Sequence, residues 1–124
     1  MKQEDKDLLL RDLCARIPYG VKVQAYSYEH DIETIETLYA IDSDGYMSTL
    51  ECDTLDHISK PYLFPLSSMT DKQEDELIKF MAKDWNNMRY HTPDSIDWLN
   101  ANHFDFRNLI GRNLAIDCTN LNIY

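Results

Sequence analysis

Lys60-Pro61-Tyr62-Leu63-Phe64-Pro65-Leu66-Ser67-Ser68-Met69-Thr70 divides the chain into two halves with different periodicities. Pro61 and Pro65 remove backbone donors and hold their neighbours extended. Tyr62, Leu63, Phe64 and Leu66 place more apolar surface here than a solvated linker keeps, so the stretch reads as a plug laid over a core. Before it the pattern is largely strand-like, after it helix-like. The fold class that follows is α+β.

Upstream of the plug, residues 46–51 read as a return strand, joined by Asp42-Ser43-Asp44-Gly45 to a strand over 32–41. Gly45 takes positive φ at little cost and the aspartates satisfy local donors, which makes a hairpin turn. Val21, Val23 and Ala25 alternate with Lys22, Gln24 and Tyr26 in a first strand, completing a three-stranded antiparallel meander. Residues 4–16 form an N-terminal helix on Leu9, Leu10, Leu13 and Cys14, stopped by Pro18 and Gly20.

Downstream, Thr70 and Gln73 stand in capping-box positions, with Asp71, Glu74, Asp75 and Glu76 at the positive helix end. Leu77, Met81, Trp85 and Met88 recur at helical spacing, so the stripe is expected to run to Met88 and lie on the sheet. Thr92-Pro93 starts another helix, with Ile96, Leu99 and His103 on one face. Asp105 is placed to cap a further short helix to Ile110, ended by Gly111, and residues 114–118 read as a last strand. The expected architecture is a single globular domain over 1–124: an N-terminal helix, the meander, then two or three C-terminal helices packed on one face. Residues 119–124 are expected to form a loose tail.

Composition bounds the function. With 124 residues and 44% hydrophobic content the chain can bury a core without disulfides or metals. Cys14, Cys52 and Cys118 are odd in number and far apart, and read as reduced, mostly buried thiols. The N-terminus is too polar for a signal peptide and no apolar run reaches the length of a membrane span, so the expected location is cytoplasmic, with no membrane partner. Twenty-two acids against 12 basic residues give a net charge of -10, which disfavours direct binding to a nucleic-acid backbone.

Three segments carry a resemblance: Leu13-Cys14-Ala15-Arg16-Ile17-Pro18-Tyr19-Gly20-Val21-Lys22-Val23, the Lys60 to Thr70 plug, and Ile96-Asp97-Trp98-Leu99-Asn100-Ala101-Asn102-His103-Phe104-Asp105-Phe106-Arg107-Asn108-Leu109-Ile110. In this order they resemble segments of short uncharacterised proteins of gut Bacteroidetes and their phages. The resemblance implies a bacterial or phage cytosolic origin and brings no catalytic residue with it.

Motifs that would carry chemistry fail on spacing. Asp42-x-Asp44-Gly45 begins like a calcium loop, but Tyr46 stands at the third-ligand position and the glycine comes early. His30, His57, His91 and His103 show no metal-ligand spacing; Asp53, Asp56 and His57 beside Cys52 make the densest cluster and match no recognised site. There is no nucleophile elbow, and Gly20, Gly45 and Gly111 are all assigned to turns or caps, leaving no phosphate-binding loop. No catalytic residue, metal or cofactor is assigned.

Eight Tyr, four Phe and two Trp are the remaining signal. Tyr26, Tyr28, Tyr39 and Tyr46 are expected to pack across the sheet, and Tyr62, Phe64, Trp98, Phe104 and Phe106 around the plug. Some of these, with Arg107, Asp105 and Asp97 as rim, suit an interface; the interaction candidates are Tyr62, Phe64, Trp98, Asp105 and Arg107. The expectation is a small acidic, non-catalytic protein-interaction module, with a homodimer allowed by exposed sheet edges. The alternatives are an acidic inhibitor mimicking nucleic acid on a basic partner, and a small hydrolase or metal-binding protein using His57 or His103.

Overall fold

A computed structural model describes residues 2–27, 31–49 and 59–124. Helix α1 (Gln3–Arg16) passes into a 3-10 turn at Ile17–Tyr19, where Gly20 adopts φ 71° and turns the chain into strand β1 (Lys22–Ser27). Strands β2 (Ile32–Ile41) and β3 (Met47–Thr49) follow, and the sheet order is β1-β2-β3, antiparallel throughout. The meander thus stands where periodicity puts it. The chain beyond Thr49 in the expected return strand, together with Tyr28, His30, Cys52, Asp53, Asp56 and His57, lies outside the described residues.

The proline stretch is a strand rather than a plug. Tyr62–Pro65 (β4) is the centre of a second sheet in which Phe104–Asp105 (β7) and Ile116–Asp117 (β8) flank it in parallel. The prolines fall where no donor is required: Pro61 offers its carbonyl to Ile116 N–H at 2.8 Å, Leu63 accepts from Cys118 N–H at 3.0 Å, and Phe64 N–H donates to His103 at 2.8 Å. Val23 and Pro61 form an isolated bridge and Gln24 N–H donates to Lys60 at 2.9 Å, which fastens the second sheet to β1.

Helix α2 (Asp71–Phe80) starts in the expected capping box of Thr70 and Gln73 but ends at Phe80, and Ala82–Lys83 (β5) pairs with Arg89–Tyr90 (β6) in a hairpin. Helix α3 (Pro93–Ala101) begins at Thr92, with Ser95 completing the box. The anticipated helix after Asp105 is absent. Asp105 still caps, its carboxylate accepting from Leu109 and Ile110 N–H at 2.8 and 2.9 Å, but it closes a non-helical loop. In that loop Gly111 serves close packing rather than a left-handed cap, since a Cβ there would collide with the Asn108 side-chain amide.

Two apolar clusters result. Leu9 and Leu13 of α1, with Leu109, Leu114 and Ala115, cover the inner sheet face of Val21, Val23, Ala25, Leu38 and Met47 around Leu63. The second cluster gathers Leu77, Leu99 and Phe104, with Phe64, Trp98 and Phe106 against it. The sheet face is therefore covered by α1 and the 109–115 loop, whereas α2 and α3 pack on each other. The buried face of α1 holds Leu9, Asp12, Leu13 and Arg16. Cys14 is exposed, against the expected buried thiol, and Cys118 is buried.

Residues 119–124 are tied down at their end. The Tyr124 hydroxyl accepts from Lys22 N–H and donates to Tyr62 C=O, both at 2.8 Å, and its ring stacks on His103 at 3.6 Å between centroids.

Candidate interaction site

The site arises where α2 stops short. Met81 leaves helical geometry (φ −83°, ψ 146°) although Leu77, Met81, Trp85 and Met88 sit at helical intervals. Asp84 directs the backbone instead: its Oδ1 accepts from Asn86 and Met88 N–H at 2.8 and 2.9 Å, and its own N–H donates to Met88 at 2.9 Å. Asn87 takes φ 63°, a conformation Asn tolerates better than most residues. Local side-chain bonds of this kind compete with the helix and here replace its next turn.

The hairpin between β2 and β3 is built on the same plan. Asp42 Oδ1 accepts from Asp44 and Tyr46 N–H at 2.9 and 3.0 Å, Asp42 N–H donates to Tyr46 at 3.0 Å, and Gly45 takes φ 87°. The oxygen that resembled a calcium ligand serves the backbone.

Trp85, at the tip of the second hairpin, is 92% exposed, and Met88, Tyr90 and Phe80 are exposed with it. The base of the hairpin is fixed: the Thr92 hydroxyl donates to Phe80 C=O at 2.5 Å, joining the end of α2 to the start of α3. Beside it lies a groove of about 540 Å³, floored by Leu77, Ile78, Met81, Leu99 and Phe106, with Glu74, Arg89 and His91 contributing its charged and titratable groups. That volume lies within the range of ligand pockets, roughly 300–1,000 Å³. His91 Nδ1 is 3.0 Å from Ser95 Oγ.

The five interaction candidates have intramolecular roles. Tyr62 is buried in β4, and burial, with Glu33 as a smaller contributor, raises its phenol pKa. Half-buried Phe64 packs at 6.0 Å from Phe104, on which half-buried Trp98 stacks at 5.7 Å. Asp105 is buried on its loop amides. Arg107 donates to Asp12 at 2.8 Å and lies 4.4 Å from the centre of the Phe106 ring. The structure thus joins Phe64 and Trp98 through Phe104 and turns Asp105 and Arg107 to different partners. Tyr39 and Tyr46 are exposed rather than packed across the sheet.

A second polar centre lies behind the groove. Arg16, fully buried, donates to Asp12 at 2.8 Å and to Phe104 C=O at 2.6 Å. His103, at φ 62°, is held at a pKa of about 4, by burial first and by Arg16 and Lys22 next. Burial pushes the Tyr124 hydroxyl and the Cys118 thiol up, the latter to about 11. Neutral imidazole stacked on neutral phenol is a packing arrangement. Among the described residues no three His, Cys, Asp or Glu side chains form a metal-holding group, and no helix is long and apolar enough to cross a membrane.

Sequence reasoning missed Trp85, Met88 and Arg89 as surface residues because helical spacing absorbed the first two. The signal present was Asp84 followed by Asn86-Asn87, turn chemistry of the kind recognised at Asp42. No family model, curated protein or solved structure matches the chain.

Proposed function

We propose that this protein is a small, non-catalytic interaction module that binds another protein through the 82–90 hairpin and the groove beside it. The observation that carries the reading is Trp85, 92% exposed on a turn whose geometry Asp84 fixes. An exposed indole on a fixed backbone has two side-chain torsions to immobilise on binding and contributes a large apolar area, and Trp is enriched among energetic hot spots. Tyr90 and Met88 on the same hairpin extend the surface, and the groove supplies concave apolar area next to it.

The test is affinity capture from cytosol of bacteria carrying this sequence, with the wild type and Trp85→Ala in parallel, circular dichroism confirming that both fold. A stoichiometric protein partner retained by the wild type and lost by the variant is the expected result. A partner held equally by both, or none held by either, removes this face from the account.

A further inference from the structure

We infer that the groove takes an amphipathic helix of the partner whose apolar stripe is flanked by an acidic row on one side and a basic row on the other. This rests on the interaction reading above and names the chemistry of its partner.

Two elements bring opposite charges to the groove, the hairpin with Arg89 and α2 with Glu74. On the hairpin side, Lys83 and Arg89 face each other in register, both exposed, and neither has an ion-pair partner among the described residues. Like charges directly opposed on a two-stranded ribbon are unfavourable, and they stand out on a chain with a net charge of -10. Asp84, the nearest carboxylate in sequence, turns its Oδ1 to the turn amides and makes no ion pair with either cation among the described residues. An acidic row laid beside Arg89 relieves the opposition. From α2, Glu74 lines the groove and Asp71, three residues earlier, shares its helix face. A basic row complements them.

The apolar floor between these walls matches a stripe of apolar anchors, and Met69 and Met81 in its lining give it an adaptable surface. Strand addition is the other common way to capture a peptide, but β5 and β6 are two residues each and offer little main-chain edge. A helix in a groove is read instead through side chains at i, i+3, i+4 and i+7, and the apolar floor of Leu77, Ile78, Met81, Leu99 and Phe106 can seat such anchors.

The probe is a displayed library of helix-forming peptides with a fixed leucine stripe, its two flanking rows randomised among Glu, Lys and Gln, selected on the full chain. The expected winners carry Glu on one flank and Lys on the other. Arg89→Glu weakens them about tenfold, and replacing the peptide's Glu row with Lys restores binding. Enrichment without a flank preference, binding indifferent to Arg89→Glu, or no enrichment overturns the inference. If Trp85-dependent capture persists in any of those cases, the interaction reading stands without it; if that capture also fails, both fall.

Discussion

The Arg16 guanidinium meets the Asp12 carboxylate at 2.8 Å, one helical turn apart, with neither side chain exposed. Arg107, 21% exposed, reaches the other oxygen of the same carboxylate at 2.8 Å. One buried anion therefore holds two cations, one from α1 and one from the loop after β7, and joins the N-terminal helix to the groove through Phe106, whose ring lies near both guanidinium groups.

Removing that anion is predicted to be far costlier than removing the outer cation. Asp12→Ala leaves Arg16 buried without its carboxylate and is expected to cost about 3–5 kcal/mol. Arg107→Ala leaves the Asp12–Arg16 pair intact and should cost about 1 kcal/mol. Urea unfolding of the two variants checks the order; equal losses would contradict it.

Acid sensitivity follows from His103. Its folded pKa, about 4, lies below the usual 6.5, so the unfolded chain binds more protons between these values. The contribution to stability is complete above pH 6.5 and is lost as pH falls towards 4. His103→Asn, which suits the φ of 62°, should flatten the dependence across this window. Denaturation midpoints at several pH values compare the two; parallel curves would rule the histidine out.

The two hairpins respond differently at their left-handed positions. Gly45→Ala is expected to cost about 1–2 kcal/mol through φ alone, because a Cβ there meets Leu10 only at 3.7 Å, an ordinary contact. Asn87→Gly should change stability by no more than about 0.5 kcal/mol. Thermal unfolding distinguishes the two substitutions.

The anchored tail makes a further prediction. Tyr124→Phe keeps the ring on His103 and deletes the hydroxyl that links Lys22 N–H to Tyr62 C=O. A loss of about 1 kcal/mol is expected, with faster amide exchange at Lys22; unchanged exchange would contradict the bridge.

Much of the fold was legible where its signals are local. Alternation at Val21, Val23 and Ala25, the Asp42 turn and the Thr70 and Thr92 caps each depend on neighbours a few residues away. The errors came where distant partners decide. Tyr62–Pro65 becomes a strand because Phe104–Asp105 and Ile116–Asp117, 40 and 54 residues on in the paired register, supply its neighbours. Asp12 and Arg16 take inward positions on α1 because each satisfies the other and Arg107 arrives from far along the chain. At 82–90 the failure was a choice between two readable signals: helical spacing favoured burial of Trp85, while Asp84 and Asn87 favoured a turn. The proposed site lies on that conflict.

Trp85 and Trp98 are the two tryptophans, so a Trp98→Phe variant makes Trp85 the sole indole reporter. Acrylamide quenching of this variant, alone and then with the captured partner, is the most direct measurement. Red emission with nearly unhindered quenching is expected in the free protein, and a blue shift with protection in the complex. An indole shielded in the free protein, or one still fully accessible in the complex, would contradict the claim that this hairpin is the binding face.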